Sequence, residues 1–264
     1  MKPVECDLHI HSNLSKSSRP EATVENCLAA ARAGGLKTAG FSNHCWAAHL
    51  PGANDWYRSQ TAEHALSFRG QIPSDTGGLR VLTGCETEFL GNGLAGMDRE
   101  TAARFDYVLL PANHFHMKGF VVPENLGAGG PGAVRELLYR RFLEVTELGF
   151  GTGIVHPFEP LGFRDWEEEI LSGFSLGMYE TCFRSAVSAG LAVEIDKSAV
   201  DNKTALNGTG YSSLYLEMFS IARRCGCKFF FGSDSHHPGG IEGYDRMAEF
   251  AALCGIEENM LLEL

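Results

Sequence analysis

The chain has 264 residues, 44% of them hydrophobic and 21% charged. That is the composition of an ordinary globular protein with a sizeable core, long enough for one α/β barrel of about 200–250 residues, and it excludes a disordered chain. A formal net charge of -11 disfavours binding to long nucleic acids, and the absence of an 18-residue apolar run reads against a membrane span.

In chain order, the N-terminus Met1-Lys2-Pro3-Val4-Glu5-Cys6-Asp7 lacks the hydrophobic centre of a signal peptide. The first candidate strand, Val4–Ile10, runs into Asp7-Leu8-His9-Ile10-His11. A helix over Thr23–Ala33 follows, with Thr23 as N-cap and Gly34-Gly35 as its stop. Strand Thr38–Ser42 leads into Ser42-Asn43-His44, then an irregular stretch, Cys45–Tyr57, and a helix over Ala62–Arg69. Strand Leu79–Glu86 ends on Gly84-Cys85-Glu86, and strand Tyr107–Pro111 is followed by Ala112-Asn113-His114. A Gly-, Pro- and Asn-rich stretch, Gly119–Gly130, precedes a helix over Pro131–Leu148, and strand Gly153–His156 closes on its histidine. Helix Leu176–Ala189, strand Leu191–Ile195, helix Ser212–Arg224, strand Lys228–Gly232 and helix Gly243–Leu253 complete the series, with Asp234-Ser235-His236 after the last strand. Strands alternating with helices predict βαβ units, a parallel sheet and a single domain over residues 1–264; the two irregular stretches read as loops over a site.

Metal-competent residues recur after the apolar runs. In a parallel barrel those C-terminal strand ends share one face, where active sites are built. His9 and His11, two apart on an extended strand, project to one side, and Asp234 and His236 share the spacing. Imidazoles and carboxylates in such a cluster suit two or three divalent cations, zinc, manganese or iron, with a bridging carboxylate. His49 and His64 read as solvated, while His116 and His237 read equally as surface residues or substrate contacts. Cys45 has no identifiable base and reads as structural. Eight scattered cysteines without a CxxC pair fit a reduced, cytoplasmic protein.

The set Asp7-Leu8-His9-Ile10-His11-Ser12, Ser42-Asn43-His44, Glu86, His114, His156 and Asp234-Ser235-His236 resembles the polymerase and histidinol phosphatase (PHP) superfamily, in its order and over nearly the whole chain. The stretch from Asp7 through Pro20-Glu21-Ala22 to Leu36-Lys37 and His44 looks most like the histidinol-phosphate phosphatase branch. The resemblance implies a distorted (β/α)7 barrel with a trinuclear site. His9, His11, Glu86 and Asp234 would hold the first ion, Glu86 would bridge to a second completed by His114 and His156, and His44 with His236 would hold the third. Two positions depart from the family pattern. Ser17 stands nearest where an Asp or His is usual, and Asn43 replaces an Asp, so the third position has less negative charge around it.

The expected activity is hydrolysis of a small phosphomonoester by a metal-activated hydroxide, with His9, Glu86 and Asp234 at its centre. Arg19, and Lys197 after Val193-Glu194-Ile195-Asp196, are the candidate phosphate-holding cations. Two alternatives stand beside this one. An amidohydrolase-like barrel also opens with an HxH but uses a carboxylated lysine after its fourth strand, and a degenerate domain would bind metal without turnover.

Overall fold

A computed structural model describes residues 4–264; Met1-Lys2-Pro3, part of the signal-peptide reading, lie outside them. In chain order the strands are β1 (Cys6–Ile10), β2 (Thr38–Phe41), β3 (Arg80–Glu86), β4 (Phe89–Gly91), β5 (Leu94–Ala95), β6 (Tyr107–Pro111), β7 (Gly153–Val155), β8 (Ala192–Asp196) and β9 (Phe229–Gly232). Among the described residues, seven of these form one all-parallel sheet in the order β1-β2-β3-β6-β7-β8-β9, and β4 and β5 form a separate hairpin. The sheet curls until its edges meet. An Ile10–Ser235 bridge, with the His11 N–H donating to the Ser235 carbonyl at 2.9 Å, joins the end of β1 to the chain just after β9. The expected seven-stranded α/β barrel is the one observed, with helices packed around it.

The helices arise from local signals. Thr23 caps Val24–Ala33 by accepting from the Asn26 N–H, and the helix buries Val24, Cys27, Leu28 and Ala31, the i, i+3, i+4, i+7 stripe of a surface helix. Leu176–Ala189 ends on Gly190 in the left-handed conformation, a common helix stop. The stretch expected as one helix over Ala62–Arg69 is instead a short α-helix, Ala62–Leu66, tightening into a 3-10 turn, Ser67–Gln71.

The barrel interior is small and full. Leu8, Leu82, Tyr107, Leu109, Val155, Ala192 and Phe230 form a buried cluster of their own, with Leu262 packed against it. Glycines make room for the large members. A Cβ on Gly84 would stand 2.2 Å from the Tyr107 ring, and one on Gly153 would stand 2.4 Å from Phe230. Tyr107 reaches across to donate its hydroxyl proton to the Leu8 carbonyl at 2.7 Å. The larger core lies between the strands and the helices.

The β9–β1 seam depends on a side chain as well. Asp7 is fully buried; its Oδ1 accepts the N–H groups of His9 (2.8 Å) and Ser233 (3.2 Å), and its Oδ2 accepts the Tyr244 hydroxyl (2.7 Å). Beside it β1 is irregular. From Asp7 to Ile10 the strand advances three residues while β2 advances two, Ala39 to Phe41. The extra residue is a β-bulge, and it decides which way the next side chains point.

Candidate metal centre

Strict alternation from Leu8, which faces into the barrel, would send His9 and His11 outward and bring Ile10 back in. The added residue shifts the phase, so His9 and His11 both face the barrel's upper end, their rings 5.1 Å apart. The alternation expected of the pair holds, but only from His9 onward. Glu86, at the last position of β3, meets them at the centre and is 1% exposed.

The two oxygens of Glu86 face different partners. Oε1 lies 3.2 Å from His114 Nε2 and 3.2 Å from His156 Nε2. Oε2 lies 3.5 Å from His9 Nε2, 3.4 Å from His11 Nε2 and 3.2 Å from His44 Nδ1. Asp234 Oδ1 completes the second set, 3.4 Å from His9 Nε2 and 3.2 Å from His11 Nε2. Two donors on one tetrahedral ion, each about 2.1 Å from it, stand about 3.4 Å apart. The observed spacings match. The nitrogens His9 Nε2, His11 Nε2 and His44 Nδ1 are also buried without hydrogen-bond partners, a costly arrangement in a core that holds nothing between them. Three groups of donor atoms lie within 4.8 Å of one another: His9, His11 and Asp234; Glu86, His114 and His156; His11, His44 and His236. The donor set fits divalent cations.

The ring nitrogens that face away from the centre are fixed by neighbours. His9 Nδ1 meets Glu194 Oε1 at 2.7 Å, His114 Nδ1 meets Glu88 Oε2 at 2.8 Å, His156 Nδ1 meets Asn113 Oδ1 at 2.6 Å and His11 Nδ1 meets Ser15 Oγ at 3.1 Å. Such partners set the tautomer and aim the other nitrogen at an ion. Glu88 and Glu194 are both fully buried. Neither stands out as a site residue in the sequence, although Glu88 is two positions from Glu86 and Glu194 is a carboxylate inside an apolar strand.

Charge in the metal-free cluster is strongly redistributed. Burial opposes ionisation of Glu86, yet His114, His9 and His44 outweigh it and hold its carboxyl well below the usual range. Burial likewise works against Asp234, and His9 and His11 again pull its carboxyl down. Against the same burial, Glu194, Asp234 and Glu86 raise His9 well above 6.5, and Glu88 with Glu86 does so for His114. Burial prevails at His44, pushed well below 6.5, and at His236, lowered to about 4.

All eight histidine and carboxylate candidates therefore converge on one cluster, and five of them, His44, Glu86, His114, Asp234 and His236, line the pocket. The Asp234–His236 pair does so by a different route from the one expected. β9 ends at Gly232, and Asp234 has φ 48°, so the segment is not extended. Asp234 turns to His9 and His11, while His236 stacks on His11 at 4.3 Å and its Nδ1 meets the Asp234 carbonyl. His156 also has a positive φ, 33°. Left-handed backbone at a non-glycine residue is uncommon, and such strain gathers at functional sites.

The candidate phosphate-holding cations lie elsewhere. Lys197 opens the short helix Lys197–Val200, its Nζ 4.0 Å from Asp201, and does not line the pocket. Arg19 is exposed and also outside the lining, and its backbone N–H donates to the His236 carbonyl at 3.0 Å. Ser17 lines the pocket, whereas Asn43 is buried and binds loop atoms, its Oδ1 accepting from Ser12 N, Ser12 Oγ and Ser15 Oγ. His116 lines the pocket and His49 pairs with Asp98 at the surface. His64, expected to be solvated, is half-buried with its Nε2 2.9 Å from the Leu14 carbonyl. Of the two loops, the first supplies Trp56 and Tyr57 to the wall, but Gly119–Gly130 supplies nothing; Met117, just before it, and Leu161 do instead. Cys45 is buried, in keeping with a structural residue. Among the described residues no helix is long and apolar enough to cross a membrane.

No protein-family model and no curated protein sequence matches the chain. Solved structures do. Histidinol phosphate phosphatase from Lactococcus lactis, crystallised with zinc, L-histidinol and phosphate, superposes with a TM-score of 0.62 at 15% identity, over 98% of this chain and 99% of that one. A Listeria monocytogenes protein described as a candidate histidinol phosphatase gives 0.59 at 14% identity, over 91% and 98%. A structure from the work on YwqE of Bacillus subtilis and CpsB of Streptococcus pneumoniae, metal-dependent tyrosine phosphatases, gives 0.51 at 16% identity, over 97% and 89%. The chain thus shares, along almost its whole length, the fold of these metal-dependent phosphatases.

Proposed function

We propose that the chain is a metal-dependent phosphoesterase of the PHP type that hydrolyses small phosphomonoesters. The observation that carries the reading is Glu86, whose two oxygens face two separate sets of donors at ligand-to-ligand spacing. His9, His11, Glu86 and Asp234 would hold one ion, and Glu86, His114 and His156 a second. The third group, His11, His44 and His236, has no carboxylate and borrows a histidine from the first, so it is the weakest. The likeness of fold to phosphatases, one of them crystallised with zinc and phosphate, supports the same chemistry.

Divalent cations bound there would neutralise a phosphate and lower the pKa of bound water toward about 7. The protein's own part is positional. Glu86, kept ionised by its imidazoles, fixes the spacing of the two sets, and Glu194, Glu88 and Asn113 lock the histidines so that little reorganisation accompanies substrate binding. With Arg19 and Lys197 outside the pocket, no lysine or arginine among the described residues lines it, which leaves the phosphate to the cations.

The test is to purify the protein with zinc, manganese or iron and assay p-nitrophenyl phosphate and histidinol phosphate, with metal content measured on the same sample. Hydrolysis that disappears in the H9A/E86A double variant, folded by circular dichroism, is the expected result. Full activity in that variant would overturn the assignment.

A further inference from the structure

We infer that the ester group of the substrate is uncharged and apolar, most suitably aromatic, and lies between Trp56 and Met117 above the carboxylate–imidazole floor; this rests on the phosphomonoesterase reading above. The pocket has a volume of about 440 Å³, room for a phosphate and a group of about one ring, at the small end of ligand sites. Its walls are Trp56, Tyr57, Met117 and Leu161, with Ser17 and His116 as the polar members outside the donor sets. Tyr57 spends its hydroxyl on Glu88, donating at 3.0 Å, and so offers the pocket only its ring. Trp56 is half-buried and held edge-on by His44 (5.0 Å, 67°) and by Tyr57 (4.6 Å, 85°), a rigid surface for a flat group.

What the wall lacks is equally informative. The two carboxylates that reach it, Glu86 and Asp234, each lie 3.2–3.5 Å from two or more imidazoles. Both belong to the donor sets proposed to hold cations, and those cations would repel an ammonium group. An amine-bearing ester would bring its charge against walls that, among the described residues, offer no carboxylate outside those sets, at a cost the apolar side chains do not return. A phenyl ring in the same place gains from its own burial.

The experiment compares 2-phenylethyl phosphate with 2-aminoethyl phosphate and histidinol phosphate on the zinc-loaded protein; all three are esters of primary alcohols. The expected kcat/KM is at least about tenfold higher for 2-phenylethyl phosphate than for either amine. W56A, checked for folding and zinc content, should bring the ratio of 2-phenylethyl to 2-aminoethyl phosphate toward one. Equal or faster turnover of the amine-bearing esters would overturn the inference and leave the phosphatase reading intact. An unchanged ratio in W56A would overturn the seat assigned to the ring. Hydrolysis of no phosphomonoester with any of the three metals would remove the phosphatase reading and the inference together.

Discussion

Replacing Glu194 by Gln changes one oxygen to nitrogen where both oxygens are already committed. Glu194 is fully buried on β8; its Oε1 takes His9 Nδ1 at 2.7 Å, and its Oε2 takes the His156 backbone N–H at 2.6 Å. A glutamine has one acceptor oxygen, so one of these donors must face an NH2 group. A buried donor left unpaired costs about 1–3 kcal/mol. Losing a partner of this kind typically weakens metal affinity or activity about 10–100-fold, which is about 1.4–2.7 kcal/mol, the same range reached from the other side. Because His9 belongs to one donor set and His156 to the other, both ions should weaken. Zinc affinity measured by competition with a chromophoric chelator should fall about 10–100-fold in E194Q while circular dichroism stays unchanged. Binding within twofold of wild type would refute the claim that Glu194 aims the cluster.

Three further outcomes can be checked. E86A should retain fewer than one zinc per chain by elemental analysis, since each donor set loses its shared carboxylate; two retained ions would contradict the bridging role. Zinc uptake at pH 7 should release protons, because His9 and His114 are raised well above 6.5 and stay protonated in the metal-free protein until pH rises through those higher values. Apparent affinity should therefore climb from pH 6 to 8, and calorimetric heats should depend on the buffer's ionisation enthalpy; buffer-independent heats at pH 7 would refute this. D7N should melt within a few degrees of wild type, whereas D7A should lose stability by about 2 kcal/mol or more. Asn can keep both N–H groups on its oxygen and donate to the Tyr244 hydroxyl oxygen. It also avoids burying a charge: burial raises the Asp7 pKa, so its contribution to stability is present below 3.8 and is lost as pH rises through the folded value. Equal melting of D7A and wild type would show that the seam does not need the side chain.

The barrel and the ring of candidate ligands were legible because both follow from order along the chain. Apolar runs alternate with amphipathic stretches, and His9, Glu86, His114, His156 and Asp234 each sit where such a run ends. What sequence order could not show was orientation. The bulge between Asp7 and Ile10 decides that His9 faces the pocket, and no residue type there announces it. Glu194 passes as part of an apolar strand, since a buried carboxylate reveals its task only when His9, far away in sequence, is seen against it. Lys197 misleads for the opposite reason. Adjacency to a strand end suggests the pocket, but the chain turns into a helix there and carries the side chain to Asp201. Trp56 and Met117 come from irregular segments, where no periodicity points to a wall.

The packing inside the barrel has a kinetic corollary. Tyr107 and Phe230 fill the tube, with Leu262 packed against the same cluster, which leaves little room along the axis for a hydrated ion. Ions, substrate and phosphate product would then share one doorway, the pocket that Trp56 helps to line. A chelator then strips the protein only while that doorway is empty, and a lodged product guards the ions beneath it, so phosphate should slow demetallation by occupancy alone.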